Sequence, residues 1–148
     1  MIPAYHAGYV LDASVVAKWF LLRDEPDRAR AVALRDMHVS GKIILITPDL
    51  ALLEVLNAIR FSGRAGEAEG AAALEALTDL SLRVEPLHPD VLRKANAIAW
   101  AYGITLYDAL YVALAEQVGY PLVTADGVMV KKLRGHKIVL KLADLDFE

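Results

Sequence analysis

The chain has 148 residues, 56% of them hydrophobic, with 16 Lys and Arg against 19 Asp and Glu for a net charge of −3. That length and apolar content support one domain over residues 1–148 with a real core, and exclude a disordered chain. Cysteine is absent, which removes disulfide frameworks, thiolate metal sites and thiol nucleophiles.

The apolar run at 8–11 reads as a first strand, ended by Asp12. Ser14 can cap a helix over 15–22, and Pro26 suits the first turn of a second helix reaching about residue 38. Residues 43–46 form a buried-strand run. Thr47 and Pro48 look like a cap and a first-turn proline, opening a helix to about residue 61. A Gly-rich loop at 62–67 leads into a helix over 67–80, then a weaker strand at 82–85. Pro89 opens a helix that Gly103 stops; Thr105 caps the next, which Gly119 stops. A strand at 122–124, a short helix at 127–133 and a last strand at 137–140 complete the chain. Continuous apolar strands alternating with helices imply a three-layer α/β/α fold around a mostly parallel sheet. Sites in such folds form beyond the carboxyl ends of the strands, at a switch point.

Several chemistries find no support. The histidines, His6, His38, His88 and His136, are not paired at metal-ligand spacing. No Gly-x-Ser-x-Gly elbow occurs, and Gly63, Gly66 and Gly70 match neither phosphate-cradling motif. No apolar run approaches the roughly 18 residues of a membrane span. Residues 1–6 lack the basic region of a secretion signal. The expectation is a soluble cytoplasmic protein without a membrane partner.

Four acids each interrupt an apolar stretch near an element end: Asp12, Glu54, Asp108 and Asp126. Each has a plain structural reading. Asp12 can cap a turn, Asp126 can make an Asp-Gly turn, and Asp108 stands at capping-box spacing from Thr105. Glu54 can lie on a solvated stripe with Asn57, three residues on. If the strands before Asp12 and Asp126 are parallel and central, both carboxylates project into one crevice. Two carboxylates about 4 Å apart repel by roughly 4 kcal/mol at an effective dielectric of 20. A converging set therefore takes up protons or holds a cation. Oxygen ligands without His or Cys select Mg²⁺ or Mn²⁺, which suits phosphoryl chemistry with a water nucleophile.

At these residues the sequence resembles the PIN-domain family, and within it the VapC-type toxins. The likeness rests on 10–16 (Val-Leu-Asp-Ala-Ser-Val-Val), 53–57 (Leu-Glu-Val-Leu-Asn), 107–115 (Tyr-Asp-Ala-Leu-Tyr-Val-Ala-Leu-Ala) and 122–126 (Leu-Val-Thr-Ala-Asp). It implies a Mg²⁺- or Mn²⁺-dependent endoribonuclease, the toxin of a type II pair restrained by a VapB-type antitoxin. Matched position by position, Asp12, Glu54 and Asp108 are the implied core metal ligands and Asp126 the fourth acid. Ser14, Asn57 and Thr124 match auxiliary polar positions. After Asp126 many relatives carry another acid or an aromatic, where this chain has Gly127-Val128-Met129; the resemblance therefore implies one ion and leaves a second open.

Lys131, Lys132, Arg134, Lys137 and Lys141 are the densest basic stretch, and Lys18 is the base nearest Asp12 in sequence. Lys18, Lys131 and Lys132 are candidates to touch RNA phosphates, against a plain reading as solvated surface. Helical segments 51–59 and 109–118 are apolar around most of their circumference, and residues 19–22 add a bulky cluster. The surplus fits a homodimer; that part of it lies under an antitoxin is what the resemblance implies. Rival functions are a degenerate PIN module that binds RNA or protein without cleavage, a receiver-type binding module, and a phosphoaspartyl phosphatase with Asp12 as nucleophile. The last class usually carries a second acid two positions on, here Ser14.

Overall fold

The computed structural model describes residues 2–3, 7–21 and 24–147. The elements are β1 (Ile2–Pro3), β2 (Gly8–Leu11), α1 (Ala13–Val16), α2 (Arg28–Val39), β3 (Ile44–Pro48), α3 (Leu50–Arg60) and α4 (Glu67–Asp79). They continue with β4 (Arg83–Glu85), α5 (Pro89–Tyr102), α6 (Leu106–Val118), β5 (Leu122–Thr124), α7 (Gly127–Lys132), β6 (Val139–Lys141) and β7 (Leu145–Asp146). Five strands make one wholly parallel sheet in the order β4-β3-β2-β5-β6. β1 and β7 form a separate parallel pair.

The register explains the centre of the sheet. Tyr9 and Val10 pair with Leu45 and Ile46 on one side, while Val10 and Leu11 pair with Leu122 and Val123 on the other. All of these side chains are fully buried, at about 1.5–3 kcal/mol for each large aliphatic group removed from water. Gly8 lets β2 approach β3: a Cβ there would stand 2.8 Å from the Ile44 carbonyl oxygen. From β2 the chain moves outward to β3 and β4, then returns to the opposite side through β5 and β6. The strand order therefore reverses between β2 and β5, and the residues that follow these two strands share one crevice.

Helix α6 packs on β2, β3 and β5, and α5 packs on α6. An unbroken buried run, Ala109 to Ala115, makes α6 a core helix. The expected glycine stops hold: Gly103 and Gly119 both adopt the left-handed conformation that closes α5 and α6. Among the described residues no single helix is long and apolar enough to cross a membrane.

Several expectations need correction. Thr47 and Pro48 end β3 instead of opening a helix. The amides of β3 alternate: Ile44 bonds to Ala7 on the β2 side, and Asp49 bonds to Glu85 on the β4 side. Pro48 lies in the first set, beyond the last β2–β3 pair at Ile46, so no ladder bond is lost. The helix expected over 15–22 is instead four residues of α1 and a 3-10 turn at Ala17–Trp19; Leu22 lies outside the described residues, as does most of the N-terminal segment 1–6. Trp19 is buried, and its indole N–H donates to the Ala31 carbonyl at 2.8 Å, tying the turn to α2. The strand expected at 137–140 covers Val139–Lys141, and it is not the last, because β7 follows it.

Candidate active site

Asp12 follows β2 immediately and is 6% exposed. Its Oδ2 accepts two hydroxyls, Ser14 Oγ at 2.6 Å and Thr124 Oγ1 at 2.8 Å. Both hydroxyls are held in turn. Ser14 Oγ accepts the Ala125 amide at 3.0 Å, and Thr124 Oγ1 accepts the Asp126 amide at 3.1 Å. The ends of β2 and β5 are thus laced together through one carboxylate oxygen. Ser14, the expected helix cap, serves this lattice instead, and Asp12 takes the capping position without a side-chain cap bond.

Asp126 caps α7: its Oδ1 accepts the amides of Val128 at 2.9 Å and Met129 at 3.2 Å. The Asp-Gly turn and the site role are therefore compatible, because Oδ2 lies outside the cap. Asp108 sits in the first turn of α6, where Thr105 Oγ1 accepts its amide at 3.1 Å. Glu54 comes from α3, and its Oε1 accepts the Tyr111 hydroxyl at 2.6 Å.

The four acids act on one another. Burial raises the Asp12 carboxyl above its ordinary value, opposed by the Ser14 and Thr124 bonds and reinforced by the Asp126 charge. Burial also raises Glu54, opposed by the Tyr111 bond and reinforced by the charges of Asp12 and Asp108. Asp108 is raised by burial and then by Asp12 and Asp126, with Thr105 and Lys132 pulling the other way. The carboxylates that follow β2, stand on α3 and α6 and close the β5–α7 junction are therefore near enough to act on one another's charge at the carboxyl end of the sheet.

The auxiliary and basic candidates divide. Ser14 and Thr124 are integral to the site, whereas Asn57 is exposed on α3 and, among the described residues, makes no hydrogen bond to the acids. Lys132 is exposed on α7, lies close enough to act on Asp108, and reaches the Gly103 carbonyl at 3.4 Å. Lys131 is exposed on the same helix. Lys18 differs from both readings the sequence offered. It is 7% exposed, and its ammonium is engaged by Glu25 at 3.1 Å. Tyr111 was not singled out from sequence. Its only signal is a polar atom on a fully apolar stretch, three residues after Asp108 and so on the same helical stripe.

Residues 9–133 match the family model of the PIN domain. The chain belongs to the PIN-domain family. This PIN domain is 36% identical over 130 residues to Ribonuclease VapC3 of Pyrobaculum aerophilum, a match covering 83% of the chain and 92% of that relative. A toxin-antitoxin complex from Klebsiella pneumoniae shares the fold with a TM-score of 0.69 at 16% identity, over 93% of this chain and 99% of that one. The Mycobacterium tuberculosis toxin VapC20, described as cleaving the sarcin-ricin loop, does so with a TM-score of 0.64 at 20% identity, over 83% and 93%.

The donor set of this PIN domain fits a hard divalent cation. It offers oxygen only, and Asp12, Glu54 and Asp126 are each secured to the protein through one oxygen, with the second outside those bonds. Among the described residues, no three acidic or histidine side chains already stand close enough to enclose an ion.

Proposed function

We propose that the protein is a Mg²⁺- or Mn²⁺-dependent endoribonuclease, the toxin of a type II toxin-antitoxin pair. One observation carries this: four acids from separated segments gather at the switch point, and three of them, Asp12, Glu54 and Asp108, are raised by burial and by the charges of their neighbours. Asp12, Glu54 and Asp108 would hold the ion, with Asp126 as the fourth acid. A divalent ion bound there would offset charge on a phosphodiester and lower the pKa of water. Ser14 and Thr124 fix the carboxylate plane of Asp12, so its second oxygen has one direction to face. Lys132, beside Asp108, is placed to meet a phosphate entering the crevice, with Lys131 next to it.

The identity to a relative named as a ribonuclease supports RNA as the substrate class. The test is cleavage of end-labelled RNA by wild type and Asp108→Asn, with Mg²⁺, Mn²⁺ or EDTA. Cleavage by wild type alone, abolished by EDTA, is the expected result. RNA binding that ignores metal, without cleavage, would replace this reading with the non-catalytic module. For the antitoxin we assign the groove of about 890 Å³ lined by Phe20, Leu21, Ile59, Ala65, Ala73 and Ala76. For a homodimer we assign the outer face of α5, where Trp100 is 84% exposed. Light scattering of Trp100→Glu, expected to be monomeric, tests the second assignment.

A further inference from the structure

Tyr111 is the largest polar side chain buried among the acids. It lies on α6, is fully buried, and donates its hydroxyl to Glu54 Oε1 at 2.6 Å. A phenol stays protonated throughout the neutral range, so it can donate here but cannot itself serve as an anionic ligand. Glu54 is otherwise a flexible side chain on a different helix, half-buried, with no other hydrogen bond among the described residues. Asp108 stands three residues before Tyr111, on the same stripe of α6. One helix face therefore supplies a carboxylate and, one turn deeper, the donor that restrains the carboxylate opposite.

Resting on the metal-site reading above, we propose that Tyr111 is a positioning residue: it pins Oε1 of Glu54 and so presents Oε2 to the divalent ion. The hydroxyl organises Glu54 before the ion arrives. Groups that orient a metal ligand in this way typically change affinity or activity by 10–100-fold when removed. A merely structural tyrosine would give a different pattern. Losing its hydroxyl would alter the melting temperature and leave metal affinity alone.

The test is Mn²⁺ affinity, measured by electron paramagnetic resonance of the free ion, together with metal-free melting temperature. The variants are Tyr111→Phe, Glu54→Ala and the double variant. Tyr111→Phe is expected to weaken Mn²⁺ binding about 10-fold or more, while its metal-free melting temperature falls only as the loss of one hydrogen bond requires. In the Glu54→Ala background the same change should have no further effect, because the tyrosine acts only through Glu54. Wild-type affinity in Tyr111→Phe overturns the proposal. So does any difference in Mn²⁺ affinity between Glu54→Ala and the double variant, a comparison that holds even if Tyr111→Phe alone fails to fold. If wild type itself binds no Mn²⁺, the metal-site reading fails, and the role of Tyr111 falls with it.

Discussion

Replacing Asp12 with Asn should stabilise the metal-free protein, although it removes a proposed metal ligand. Asp12 is almost fully buried, and its charge faces those of Asp126, Glu54 and Asp108. At a separation of about 6 Å and an effective dielectric of about 20, one such pair costs roughly 3 kcal/mol. Against this relief, the bonds from Ser14 and Thr124 fall from charge-assisted to neutral, a loss of roughly 1 kcal/mol each. Counting one such pair, the balance favours Asn by about 1 kcal/mol, or about 2–4 °C in a domain of this size. Saturating Mn²⁺ should reverse the order. Wild type gains about 2.7 kcal/mol at 100 times the dissociation constant, and Asp12→Asn gains little. Thermal melts of both proteins at about pH 8, in EDTA and in Mn²⁺, provide the assay. A variant less stable than wild type in EDTA would refute the reasoning, leaving the Asp12 carboxylate as an anchor for the Ser14 and Thr124 hydroxyls.

Three other consequences can be checked with the same materials. Asp12, Glu54 and Asp108 titrate above their ordinary values of 3.8, 4.5 and 3.8, so over that interval the folded chain holds more protons than the unfolded one. The stability they contribute is full below the ordinary values and is lost as pH rises through the raised ones; melts in EDTA should fall with pH more steeply for wild type than for Asp12→Asn. Thr124→Val keeps the shape but strips a donor from Asp12 Oδ2, and should cost about 1–3 kcal/mol in denaturant unfolding; an unchanged midpoint would remove Thr124 from the lattice. Lys132→Ala should raise KM for RNA, leave kcat nearly unchanged and reduce the salt slope of binding by about 1; an unaltered slope would mean Lys132 touches no phosphate.

Much of the site was legible because charge is conspicuous in an apolar sequence. Asp12 and Asp126 directly follow strand runs, and parallel pairing of β2 with β5 then brings them together. Glycine stops and the Thr105 cap were equally local signals, and they fixed α5 and α6. What sequence could not provide was the answer to which neighbour faces a given group. Pro48 is tolerated in β3 only because its missing donor points past the end of β2. Lys18 pairs with Glu25, seven residues on, across a turn that periodicity mistook for continuous helix. Tyr111 was hidden by its own packing, since an aromatic residue within a core helix reads as apolar until its hydroxyl is seen on Glu54. The short pair β1–β7 was also missed. It joins the two ends of the chain through strands of two residues each, too short to leave an alternating pattern.

The central claim is that these separated acids share one divalent ion. Anomalous diffraction from crystals soaked in Mn²⁺ tests it most directly. The account predicts a manganese peak in the crevice within coordination distance of Asp12 and Asp108, with Glu54 bound directly or through water. Full occupancy of Mn²⁺ elsewhere on the molecule, with no peak among these carboxylates, would contradict it.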